Sequence, residues 1–185
     1  MKNAQLVFTE KHRISFAAAN LCKGAVRFFL IVAVIFGSVA LAALSSLFSS
    51  MGVPDAAFVL SGLLHVSFFT SSVSALAAQQ FFWGEKHYSR ALRGMDVNAL
   101  SSKVRSGDTN KAVKDTLLKT AWFPLVLGGV LYIAIPLDIF RLNFTCMAVH
   151  HTLEDKPDYN LTYRVKQLNC PDLKISPQER RADEG

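Results

Sequence analysis

The sequence predicts an all-α integral membrane protein with three transmembrane helices, and three observations lead there. First, among Asp, Glu, Lys and Arg only Asp55 interrupts the stretch from Phe28 to Gly84, and none lies between Lys119 and Asp138. Uncharged apolar runs of this length match the roughly 20 residues a helix needs to cross a bilayer. Second, the net charge of +6 is concentrated in two places. Residues 1–27 hold Lys2, Lys11, Arg13, Lys23 and Arg27 against Glu10 alone, and residues 85–119 hold eight basic side chains against four acids. Third, Trp83 and Trp122 bracket that second basic stretch, where indole rings mark a membrane–water interface.

Together these define an expected topology. The N-terminal segment (1–25) is cytoplasmic or interfacial, and spans occupy 26–48, 57–82 and 121–140. A basic loop (83–120) is cytoplasmic, and a C-terminal tail (141–185) lies outside. Lys and Arg near span ends are retained on the cytoplasmic side, and the turn around 49–55 has neither. Three spans then place the N-terminus inside and the C-terminus outside, in a membrane read as the bacterial inner membrane. The three cysteines agree. Cys146 and Cys170 fall outside as a candidate disulfide, worth about 3 kcal/mol for a loop of this size, and Cys22 falls inside. Ala40-Leu41-Ala42 resembles a signal-peptidase site, but the apolar run continues past it after a long polar lead, so the first span is read as retained.

In chain order, residues 4–24 read as an interfacial helix leading into span one, with Lys23 and Arg27 at i, i+4 snorkelling to headgroups. Span one carries two small-residue ridges, Ala33/Gly37 and Ser38/Ala42/Ser46, which let another helix approach closely in lipid. Met51-Gly52-Val53-Pro54-Asp55 is a turn that folds spans one and two into a hairpin. Span two is the most polar. Ser61, His65, Ser72 and Gln79 lie on one face at 100° per residue, and Ser67, Ser71 and Ser74 form a second group.

In the loop, Asp96 caps a short helix bearing Val97, Leu100 and Val104, and Ser106–Asn110 reads as a turn before a helix into span three. Pro124 and Pro136 sit near the ends of that span, and Asp138 and Arg141 are spaced to pair at its outer end. In the tail, Tyr159, Leu161, Tyr163 and Val165 alternate with polar residues. This is the period of a strand, and a turn at Asn169–Asp172 makes a β-hairpin.

Candidate chemistry is thin. His65 is the one ionisable side chain well inside a span, which suggests a proton relay or pore lining. The plainer reading is a neutral imidazole bonded to Ser45 or Ser46 of span one. Cys146, His150 and His151, with Glu154 and Asp155, make at best an incomplete metal set, and Cys146 has a competing use. No nucleotide-binding, nucleophile-elbow or zinc-protease motif is present, so neither a cofactor, a metal nor a catalytic residue is assigned. The basic loop reads as a topology determinant touching anionic lipid headgroups, without nucleic acid. The expected function is non-catalytic: a small subunit or accessory of a larger envelope complex for secretion, conjugation or energy transduction, bound to other membrane subunits. The alternatives are an immunity or exclusion factor against a toxin, phage or plasmid, and an oligomeric channel or transporter lined by span two.

Overall fold

A computed structural model of the chain describes residues 8–50, 52–168 and 170, and no strand occurs among them. The helices are α1 (Glu10–Ser49), α2 (Pro54–Arg90), α3 (Val97–Ser101), α4 (Ser106–Thr116), α5 (Trp122–Ala134), α6 (Leu137–Asp155) and α7 (Tyr163–Lys166). A π-helical turn, Leu117–Ala121, joins α4 to α5. Three rods are long and apolar enough to cross a membrane: α1, α2 and the continuous Ser106–Ala134. The chain is an integral membrane protein by that measure.

The rods exceed the expected spans. At 1.5 Å per residue the 40 residues of α1 extend about 60 Å, twice the roughly 30 Å of a hydrocarbon core. The helix expected to lead into span one is continuous with it, running from Glu10 without a break. Its Ala17, Ala18 and Ala19 are buried because small side chains admit close neighbours. Likewise α2 runs on past Phe82 to Arg90.

The chain divides into two compact units, one from residues up to Gly37 with Phe69–Ile133, the other from Ser38–Phe68 with residues from Ala134 on. In the first, Ala17, Ala18 and Cys22 of α1 pack with Phe81 and Tyr88 of α2 and with Ala112 and Ala121. Phe29 stacks on Phe81 at 5.6 Å between ring centroids. In the second, Ala40, Ala43 and Leu47 of α1 pack with Ala57 and Leu64 of α2 and with Ala148 of α6. This is the helical hairpin expected from the turn, whose Ser50 carbonyl accepts from Val53 N–H at 2.9 Å. Pro54 opens α2 at the first helical position, where its missing N–H costs nothing.

Several expectations are met and others corrected. Asp96 caps α3, accepting from the N–H groups of Asn98 and Ala99 at 3.0 and 3.2 Å. Ser106–Asn110, expected as a turn, instead starts α4. The Asp108 carboxylate reaches back to the Arg105 N–H at 3.0 Å and supplies the acceptor a helix start needs. Span three widens into its π turn immediately ahead of Pro124, whose ring excludes the Thr120 carbonyl and which has no N–H to return. The span stops at Ala134 rather than running to residue 140, because Pro136 starts a new helix, α6.

The tail hairpin is also corrected. Residues 159–162 are irregular and Tyr163–Lys166 is a helical turn. The alternation is not matched by burial, since Tyr163 is 74% exposed while Val165 is buried. A period of two has no effect without a neighbouring strand to pair with. The second arm expected at Leu173 and Ile175 lies outside the described residues.

Candidate functional site

His65 belongs to the second unit. It is 1% exposed, and its Nε2 donates to the Ile135 carbonyl at 2.8 Å. A carbonyl can only accept, so this contact sets the imidazole with its proton on Nε2. Ile135 is the residue between the end of α5 and Pro136, where the helical ladder stops and carbonyls lose their intrahelical donors. In lipid such a group must be satisfied by a neighbouring helix, and α2 supplies the donor. The expected partners of His65, Ser45 and Ser46, are exposed instead, so that assignment is corrected.

The surroundings are aromatic and cationic. The Phe140 ring meets the imidazole edge-to-face at 5.2 Å. The Arg141 guanidinium lies 4.8 Å above the Phe58 ring and against Gly62, where an added Cβ would fall 2.5 Å from an Nη atom. Arg141 makes no ion pair with Asp138 among the described residues, contrary to expectation. Helical direction accounts for this: Arg141 points onto α2 and finds a ring face there. Ser61, fully buried, donates to the Phe58 carbonyl of its own helix at 3.0 Å.

The four residues of the expected polar face therefore divide. Ser61 and His65 are buried in the second unit, while in the first Ser72 is half-buried and Gln79 exposed. The packing residues divide too. Ser71 Oγ donates to the Ala33 carbonyl at 2.8 Å, and a Cβ on Gly37 would meet Ser71 Oγ at 3.1 Å, so this ridge is in use. Ser67 is buried, but Ser38, Ala42 and Ser46 are exposed. The α1 ridge that does pack in the second unit is Ala40/Ala43/Leu47, a helical spacing visible in the sequence and masked there by equally small neighbours.

Cys146 and Cys170 form a disulfide across a sequence separation of 24. That removes the thiolate from the Cys146/His150/His151 set, and no group of three or more metal-ligating side chains occurs among the described residues.

Sequence reasoning missed a polar cluster beyond the spans in the first unit. Arg13 Nε donates to Asp108 Oδ2 at 2.8 Å, and the Asp108 carboxyl is held below its ordinary value first by this contact and then by the Arg105 N–H. Tyr88 donates its hydroxyl to Asp115 at 2.7 Å, and Lys119 pairs with the same carboxylate at 2.7 Å. Lys119 first, then Tyr88, holds Asp115 low against the opposing effect of burial. Cys22 is fully buried beside Gly84, and burial pushes its thiol up to about 11, the environment of an inert cysteine. The sequence signal was the charge at Arg13 and Asp108, but 95 positions separate the partners.

No family model matches the chain, and neither a curated protein nor a solved structure does.

Proposed function

We propose that this chain is a non-catalytic subunit or accessory of a larger envelope complex, of the secretion, conjugation or energy-transducing kind. It sits in a bacterial inner membrane with its N-terminus and basic stretch cytoplasmic and its disulfide outside. The observation that supports this is the state of the two small-residue ridges. Ala33/Gly37 meets Ser71 within the chain, whereas Ala42 and Ser46, four residues apart on α1, are exposed. A partner helix docks on that second ridge, and the basic segment meets a cytoplasmic component. The channel reading has less support, since Ser61 and His65 direct hydrogen bonds to backbone carbonyls of their own chain.

The test is purification from the native host in mild detergent. Fixed membrane partners should co-purify with the natural chain and be lost with Ala42→Leu/Ser46→Leu, while the melting temperature stays within a few degrees. A monodisperse monomer, or partners that ignore the double substitution, would overturn the proposal.

A further inference from the structure

A charged groove of about 960 Å³ opens in the first unit, lined by the start of α1 (Glu10, Lys11), the end of α2 (His87, Arg90) and the third rod (Lys111, Lys119). Ile14, Tyr88 and Ala91 give it an apolar wall, and Asp115 completes its charged set. Four Lys or Arg side chains thus face two carboxylates, an excess of two positive charges. The carboxylates are already committed: Glu10 pairs with Lys111 and Asp115 with Lys119. Lys11 and Arg90 have no carboxylate partner among the described residues. The groove therefore holds two cations from different helices with no carboxylate paired to them among the described residues.

Its depth indicates the ligand. Trp83 and Trp122 are 56% and 55% exposed, and Lys86 lies over the Phe82 and Trp83 rings at 4.4 and 5.6 Å. Two exposed indoles, one of them with a lysine folded back over it, mark the edge of the hydrocarbon. His87 follows Trp83 by about one helical turn and Lys119 precedes Trp122 by about one, so the groove begins roughly 5 Å beyond that edge. That is where phosphates of lipid headgroups lie. Free phosphate has no reason to prefer this depth, and a lipid brings acyl chains that can pass down the apolar wall.

We infer that this groove is a binding site for the phosphate headgroup of an anionic phospholipid, with Lys11 and Arg90 as its main contacts and His87 beside them. Arg90 supplies the planar donor fork that suits phosphate oxygens, and Lys11 a point charge opposite it. This is independent of the assembly role proposed above, and either can fail without the other.

The experiment uses the full-length protein in a neutral detergent, titrated with short-chain phosphatidylglycerol, phosphatidylcholine or inorganic phosphate, with lipid adducts counted by native mass spectrometry. Phosphatidylglycerol should bind on the order of tenfold or more tighter than phosphatidylcholine, and Lys11→Gln/Arg90→Gln should remove that preference. Lys103→Gln/Arg105→Gln, which lies outside the groove, should keep it. Melting curves of both variants should match the parent, since all four side chains are exposed. Equal binding of phosphatidylcholine would overturn the inference, as would the same loss in both double variants. Displacement of the lipid by millimolar inorganic phosphate alone would overturn it as a lipid site.

Discussion

His65 in α2 donates its Nε2 proton to the carbonyl of Ile135, the residue ahead of Pro136, at 2.8 Å. The contact repairs the point where the third apolar rod breaks. Deleting the donor leaves an acceptor without its partner in an apolar environment, a penalty of about 1–3 kcal/mol. His65→Ala and His65→Phe should both lower the unfolding midpoint in detergent, and His65→Gln, which keeps a donor, should recover part of the loss. Midpoints equal to the parent for all three would show the contact to be energetically idle.

Gly84 and Gly24 should respond oppositely to alanine. A Cβ at Gly84 would lie 3.1 Å from Cys22 Sγ and 3.2 Å from Thr120 Oγ1, so two buried side chains must give by a few tenths of an ångström. Overpacking of this kind costs about 1–3 kcal/mol. Nothing lies within 4 Å of the same position on Gly24, which is exposed in mid-helix, so Gly24→Ala should be neutral or stabilise by about 0.5–1 kcal/mol. Thermal unfolding of the two variants side by side checks the signs.

Acid should weaken the first unit through Asp108. Its carboxyl is held below 3.8 by Arg13 and the Arg105 N–H. A depressed folded pKa contributes stability that is complete above the unfolded value and disappears as pH falls through the folded one. The melting temperature should therefore drop as pH falls below about 4, and Asp108→Asn should show a shallower drop from a lower starting point. Glu10, held low by Lys111, and Asp115, held low by Lys119, act in the same sense, so some slope should remain. An identical acid profile in the variant would remove Asp108 from the account.

The Cys146–Cys170 disulfide should be worth about 3 kcal/mol for its 24-residue separation, seen as a lower midpoint under reductant. It also reports sidedness. On intact cells, a membrane-impermeant maleimide should label these two cysteines only after reduction, and Cys22, which the proposed orientation places inside, not at all. Labelling that requires permeabilised cells would reverse the proposed orientation.

Much of the architecture was legible because lipid imposes its rule along a whole helix length. A charge is excluded from about 20 consecutive positions, so three spans stand out in a plain count of Asp, Glu, Lys and Arg. Local chemistry was legible too, as at Asp96, whose side chain can serve only the N–H groups next to it. The alternating tail misled because a strand is defined by its neighbour, and no pattern within one segment supplies that neighbour.

Composition thus determined how many helices are long and apolar enough to cross a membrane and roughly where their apolar runs lie, because burying a charge in hydrocarbon is costly whatever surrounds it. Tertiary structure alone decided which polar atoms meet: His65 with a carbonyl 70 residues on, Ser71 with Ala33, Arg13 with Asp108. Those pairings depend on the rotation and vertical register of one helix against another. A shift of one residue turns a side chain by about 100°, and the spacing within a single helix carries no record of its partner's phase.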